Sequence, residues 1–318
     1  MVVMILLKEE QRHHQIKVHI EHKEAGETIR QFLKRQWQVS GRLLTRLKKE
    51  ASVLLNGEWA PFHTRLNEGD CLVLEMEEEP CEFSPNPINF GVVYEDEDLL
   101  VVNKPPGLLT HPTTRERTDT LANAVTHYMM QRNETYKVRF VNRLDMDTSG
   151  VMILAKNAFS HHHLMLQMQQ DFMIKTYRVF VWGKMVHDEG TIDAPIYRPE
   201  NIPAEEPPRR VVDPRGKSAI SHYLVEQRYK EASLVKVTIE TGRTHQIRVH
   251  MKHLGHPVIG DTFYEPSQPV LIDRQALHAA ETEFRQPRFG TVLQHEAEFP
   301  DDMKQLEKLL GAGLNEIK

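Results

Sequence analysis

Cysteine is nearly absent from this sequence: Cys71 and Cys81 are the two in a chain of 318 residues. Their separation matches no metal-ligand spacing, and two isolated thiols exclude a disulfide scaffold and suit a reducing compartment. Long apolar runs are also lacking. The run at 2–7 is shorter than a secretory core of about 7–15 residues, and nothing later approaches the ~20 apolar residues of a membrane span. The expectation is a soluble, cytoplasmic protein without membrane association, with 2–7 as a first β-strand. Acidic residues are also missing from one strongly basic stretch. Between positions 30 and 49 the chain carries Arg30, Lys34, Arg35, Arg42, Arg46, Lys48 and Lys49 and no acid, although its net charge is −5. Glu75, Glu77, Glu78 and Glu79 compensate just afterwards. A basic module on a mildly acidic chain points to a local contact with a polyanion; a solvated helix face would explain the charge equally well.

With 40% hydrophobic and 27% charged residues, the chain can bury a core, and its length suits two domains. In the first, Ile29, Phe32 and Leu33 mark one face of a helix over 26–37. Ser40 and Gly41 start a second helix, carrying Leu43, Leu44 and Leu47. The Asn56-Gly57 pair predicts a tight hairpin between 52–55 and 58 onward, and the turn at 67–70 leads into a strand at 71–76. The acidic, proline-rich stretch EEEPCEFSPNP (77–87) reads as a linker, which places domains at 1–76 and 88–318. The second domain shows a hairpin over 91–104, a helix at 121–130, strand–turn–strand over 140–154, and a helix capped by Asn157. Strands follow at 176–182, 219–226 and 234–239, the last alternating as a half-buried strand would. A helix at 244–253 stops at Gly255. Strands mixed with separate helices, without βαβ alternation, indicate an α+β fold with a mixed or antiparallel sheet.

Three segments hold the chemistry. RLDMDTSG (143–150) places Asp145 in a turn between strands, where an aspartate by itself is an ordinary turn former. KTYRV (175–179) puts Tyr177 on a strand, where a tyrosine by itself is ordinary core. TGRTHQIRVH (241–250) packs donors into a loop-to-helix junction that could equally be a charged surface helix. Taken together they supply a carboxylate, an arginine that favours its charged form, and an aromatic platform for a base. Asp145 and Asp147 stand too close in sequence for a glycosidase pair, which needs about 5–9.5 Å between carboxyl groups, generally from different elements. The histidines at 161–163 and at 245, 250, 253 and 256 lack zinc spacing, so no metal is expected.

RLDMDTSG resembles the central motif of RluA-type pseudouridine synthases, in which a histidine usually precedes Arg-Leu-Asp and Asn142 stands here. VVNKPPGLLTHP (101–112), KTYRVFVWG (175–183), GKSAISHY (216–223), TGRTHQIRVHM (241–251), GHPVIGDTFY (255–264) and ALHAAETEF (276–284) follow in that family's order. The N-terminal segment resembles the RNA-binding domain first known from ribosomal protein S-four, with Lys48-Lys49-Glu50 where a glycine is usual. The resemblance implies a large mixed or antiparallel-sheet catalytic domain behind a small α+β RNA-binding domain. It implies an isomerase that converts specific uridines of structured RNA to pseudouridine without a cofactor. Asp145 would act on the ribose of a flipped-out uridine, by nucleophilic attack or by proton abstraction. Tyr177 would stack on the base and help remove its carbon 5 proton, and Arg248 would pair with Asp145. Arg143, Arg243, His245 and Gln246 are the expected substrate contacts, and the seven basic residues between 30 and 49 the RNA contacts. Large-subunit ribosomal RNA is the favoured substrate, with transfer RNA second, and the protein is expected to be a monomer. Arg209, Arg210 and Arg215, in a proline-rich loop at 198–217, are expected to touch phosphates. The reading of another class is a non-catalytic RNA-binding or ribosome-assembly protein.

Overall fold

The computed structural model describes residues 14–77, 79–113, 116–200 and 209–313. The strand expected at 2–7 lies outside them. The N-terminal unit is a four-stranded antiparallel sheet with two helices: β1 (Gln15–His19), α1 (Ile29–Arg35), α2 (Gly41–Lys49), β2 (Val53–Leu55), β3 (Glu58–Trp59) and β4 (Cys71–Glu75), in strand order β1-β4-β2-β3. Helix α1 starts later than the expected position 26 because Thr28 caps it, its Oγ1 accepting from the Gln31 amide at 3.3 Å. Ser40 caps α2 in the same way. Asn56 and Gly57 both have positive φ, 54° and 88°, as the primed turn of a two-residue hairpin requires. The expected helix faces meet Ile16 and Leu72 in one core.

Residues 77 and 79–87 form no helix or strand. They are held nonetheless: Glu79 takes Arg46 Nη1 at 2.5 Å from one side and Arg139 Nη2 at 2.7 Å from the other. Beyond them come β5 (Gly91–Glu95), β6 (Leu99–Lys104), α3 (Leu121–Gln131), β7 (Arg139–Phe140), β8 (Ser149–Ala155), α4 (Ala158–Gln169), β9 (Ile174–Trp182), β10 (Glu189–Asp193), β11 (Ile196–Tyr197) and β12 (Val211–Val212). The chain continues with β13 (Ile220–Arg228), β14 (Ala232–Ile239), α5 (Gln246–His253), β15 (Leu277–Arg285), β16 (Val292–Glu296) and α6 (Asp301–Ala312). The large sheet runs β10-β13-β14-β9-β15-β8-β6-β5, with β7 on β8 and β16 on β15. Its pairs are antiparallel except β8 with β15 among the described residues. The mixed α+β fold is therefore as the sequence suggests. Strand β14, flanked by β13 and β9, alternates as expected from Val235 to Ile239, with Lys236 and Thr238 partly exposed, while Ala232 and Leu234 at its start are buried in a second core. Among the described residues, no helix is long and apolar enough to cross a membrane.

The two units are joined by specific contacts. Phe159 of α4 enters the N-terminal core edge-on to Trp37, and His163 Nε2 donates to the Trp37 carbonyl at 2.6 Å. Arg288 forks onto Asp98, both 1% exposed or less at the side chain, and reaches the Gln15 carbonyl at 2.9 Å.

The buried His278 sets a pH limit on this fold. Its Nε2 donates to the Ala297 carbonyl and its Nδ1 accepts from the Ser149 hydroxyl, both at 2.9 Å, which specifies the neutral ring. Burial lowers its pKa from 6.5 to about 4. Below pH 6.5 the unfolded chain therefore binds a proton that the folded chain refuses until about pH 4, so stability falls as pH falls across that window. The loss should reach about 3 kcal/mol. Urea midpoints of wild type and His278→Gln between pH 7 and 4.5 should diverge, with the variant less acid-sensitive; parallel curves would clear His278 of the effect.

Candidate active site

Sheet register brings the site's components to one level. Tyr177 of β9 pairs with Ala279 of β15, Ala279 with Gly150 of β8, and Gly150 with Lys104 of β6. Gly150 has φ +116°, and a Cβ there would lie 2.1 Å from the Ala279 carbonyl oxygen. Only glycine lets β15 run this close to the start of β8. The Asp145 turn, closed by Thr148 N–H to Asp145 O at 3.1 Å, thus opens directly onto the row that carries Tyr177.

The turn is held by its own carbonyls. Thr110 Oγ1 donates to Leu144 O at 3.4 Å, Lys104 Nζ to Met146 O at 2.7 Å, and Arg274 Nη1 to Asp147 O at 2.9 Å. Lys104 has no exposed surface and also donates to Pro105 O and Leu108 O. Burial lowers its pKa to about 7, against the pull of Asp147. Donors from separate segments therefore fix the backbone that presents Asp145, a preorganised arrangement in which the side chain need not search for its position.

Asp145 itself, 24% exposed, accepts from Arg248 Nη1 at 3.1 Å. The rest of that guanidinium forks onto Asp261, Nε to Oδ2 at 2.7 Å and Nη2 to Oδ1 at 2.8 Å, and Asp261 is 1% exposed. The fork leaves one edge of the arginine aimed at Asp145. The group packs against the rings of Phe263 and Tyr264. His245 Nε2 stands 3.8 Å from Asp145 Oδ2, and its Nδ1 shares a 2.8 Å hydrogen bond with the Tyr264 hydroxyl. Burial holds its pKa below the ordinary value despite Asp145. Tyr177 is buried; burial, and then the charge of Asp145, raise its phenol far above the usual value, so the hydroxyl is protonated at neutral pH. A cavity of about 290 Å³ opens here, lined by Asp145, Met146, His245, Arg248, Asp261 and Phe263 among others.

The structure sorts the residues expected from sequence. Asp145, Tyr177, Arg248 and His245 come together. Arg143 and Arg243 are exposed, and Arg243 Nε donates to the Ser218 carbonyl at 2.9 Å. Gln246 is a correction. It is 3% exposed, and its amide joins Thr241 and Arg243 N–H to Ile220 O and the Ser221 hydroxyl, so it stitches the loop to β13 and has no group left for substrate. Arg46 is a second: its guanidinium is turned onto Glu79 and Glu50. Arg30, Lys34, Arg35, Arg42, Lys48 and Lys49 are exposed on α1 and α2. Arg215 forks onto Asp213 and lies on Tyr197, while the Arg209 guanidinium stands over Phe263 beside the cavity. Asn142 replaces strand pairing, accepting Ile153 N–H at 2.8 Å and donating to Val151 O at 3.2 Å. Asp261, Phe263, Tyr264, Lys104 and Arg274 do not stand out in the sequence; most sit inside matched motifs, but nothing in their spacing names Arg248 or the Asp145 turn as their partner.

Comparison with known proteins shows the family of the chain. Residues 98–253 match the family model for RNA pseudouridylate synthase, and residues 16–72 match the RluD ribosomal pseudouridine synthase N-terminal domain. The uncharacterized RNA pseudouridine synthase YhcT of Bacillus subtilis is 35% identical over 92% of this chain and 96% of its own length. Ribosomal large subunit pseudouridine synthase D of Pseudomonas aeruginosa is 38% identical over 77% of this chain and 79% of its own. The solved structure of human RNA pseudouridylate synthase domain containing 4 superposes with a TM-score of 0.56 at 22% identity, over 70% of this chain and 93% of that one, which supports the fold.

Proposed function

The chain belongs to the RNA pseudouridine synthase family, an isomerase of RNA uridines, and from that premise we propose that its substrate is large-subunit ribosomal RNA and that Asp145 is its catalytic carboxylate. The observation that carries the second part is the Asp145–Arg248–Asp261 chain lining a cavity, with the buried Tyr177 close enough for the charge of Asp145 to act on its phenol. In the reaction the bond from ribose carbon 1′ to nitrogen 1 breaks, the uracil turns in place, and carbon 1′ joins carbon 5. The carbon 5 proton leaves and nitrogen 1 gains one, so atoms and electrons balance within one nucleotide and no cofactor is required. Asp145 acts on the ribose. Tyr177 forms the wall on which the extruded base stacks, and its protonated hydroxyl takes part in moving the carbon 5 proton. Arg248 donates to the carboxylate and aims it. Arg143, exposed beside Asp145, enters the RNA where the base has left.

The ribosomal substrate rests on the relatives named as large-subunit enzymes and on the N-terminal basic helices. The two free thiols suit a cytoplasmic protein, and we read it as a monomer. Mapping pseudouridine by carbodiimide in total RNA from cells with and without the gene tests the substrate. Loss of a site in large-subunit ribosomal RNA is expected; loss confined to transfer RNA would overturn that half of the proposal.

The basic face makes a separate prediction. Replacing Arg30, Lys34, Arg42 and Lys49 by glutamine should weaken RNA binding and flatten its salt dependence by about 0.7–0.9 log unit per log salt for each phosphate no longer neutralised. Arg46→Gln should leave the slope unchanged, because Glu79 already neutralises that charge. Equal slopes for wild type and the fourfold variant would remove these helices from the RNA interface.

A further inference from the structure

We infer that Arg274 and Asp302 form a positioning pair for the catalytic turn, which makes the C-terminal helix α6 part of the active-site scaffold; this rests on the reading of Asp145 above. Arg274 is 9% exposed at its side chain. Its Nε and Nη2 fork onto Asp302 at 2.6 and 2.9 Å, while Nη1 donates to Asp147 O at 2.9 Å and Gln275 O at 3.1 Å. Asp302 is itself set in place. It lies in the first turn of α6, where the helix end favours a carboxylate, and Met303 N–H donates to its Oδ1 at 2.8 Å. Met303, Leu306 and Leu310 fasten α6 to the sheet beside Phe180 and Ala232.

Arg274 reaches the segments that carry both halves of the Asp145–Arg248 arrangement. Its side chain holds the carbonyl two residues after Asp145. Its backbone packs on Gly260, whose φ is +78° and where a Cβ would stand 2.0 Å from Arg274 O. Gly260 precedes Asp261, the residue that clamps Arg248. On this side the turn is not wedged by packing. A cavity of about 680 Å³ lies between α6 and the 105–108 segment, lined by Pro106, Gly107, Asp147, Leu306 and Leu309 among others. The guanidinium spans its edge, so without it the turn has space to move into. A displacement of about 1 Å in reacting groups can cost ~100-fold in rate.

The test uses the purified full chain, an RNA transcript that the wild-type enzyme modifies, single-turnover rates, RNA affinities and urea midpoints. Arg274→Met should slow the single-turnover rate about 30- to 100-fold and change RNA affinity by less than about threefold. Arg274→Lys, which restores one donor, should regain about tenfold of that loss, and Asp302→Asn should fall between them. Leu164→Ala, on the buried face of α4, serves as a control for stability alone and should keep a near wild-type rate at a urea midpoint comparable to that of Arg274→Met. Three results would overturn the inference: a wild-type rate in Arg274→Met, a loss confined to affinity, or an equal loss of rate in Leu164→Ala. Full activity of Asp145→Asn would instead overturn the reading of Asp145 and is scored separately.

Discussion

Asp145→Asn is expected to abolish pseudouridine formation, by at least about 10⁴-fold, since removing one member of a catalytic unit typically costs that much or more. The substitution is nearly isosteric. An amide oxygen can still accept from Arg248 Nη1, and the turn does not depend on the side chain, because its carbonyls at 144, 146 and 147 are held by Thr110, Lys104 and Arg274. Arg248 keeps its fork to Asp261. The variant should therefore fold and bind RNA within about threefold of wild type while lacking the charge that acts on the ribose. Carbodiimide mapping of RNA from cells carrying the gene, lacking it, or carrying the variant gives the readout. A site missing from both altered strains ties the modification to this carboxylate. A site that survives in the variant strain removes Asp145 from the chemistry, and a map unchanged in all three strains favours a binding or assembly protein.

What can be read from the sequence follows from how local each signal is. The α2 start at Ser40 and the Asn56-Gly57 hairpin depend on neighbours within four residues, and both stand where expected. Strand β15 does not announce itself in the same way. LHAAETEF is short of the large branched residues that mark strands, because Ala279 lies against Gly150 and Ala276 and Ala280 are fully buried at close quarters. Its identity as a strand is a property of its neighbours, as is the short β1, where only Ile16 and Val18 alternate.

The site divides along the same line. Asp145 and Arg248 are 103 residues apart, and no periodicity joins them; the family motifs do. Those motifs also enclose Asp261 and Tyr264 without revealing that the first clamps Arg248 and the second bonds His245. Gln246 and Arg46 mislead for one reason. A polar side chain in a donor-rich loop or a basic run looks available until its protein partners are known, here Ile220 and Ser221 for the amide and Glu79 for the guanidinium.

Arg248→Met should be the second most damaging change, because it harms stability and activity by separate routes. The side chain is 7% exposed, and losing it leaves the Asp261 carboxylate, 1% exposed, with the Tyr264 amide at 3.3 Å as its remaining hydrogen bond among the described residues. Breaking a buried pair by removing one partner costs about 3–5 kcal/mol. The rate should fall about 10²–10³-fold as well, as it does when a charge-stabilising donor is removed from a preorganised site. The double variant Arg248→Met/Asp261→Asn separates the two effects. Neutralising Asp261 removes the uncompensated charge, so the urea midpoint should recover much of the loss, while the rate stays low because no guanidinium donates to Asp145. Arg248→Lys should behave differently again: it keeps a positive charge near Asp145 but cannot fork onto Asp261, so its rate should lie above that of Arg248→Met and below wild type. If the double variant regained rate together with stability, Arg248 would be a structural partner of Asp261 alone, and the alignment of Asp145 would have to come from the turn and its backbone donors.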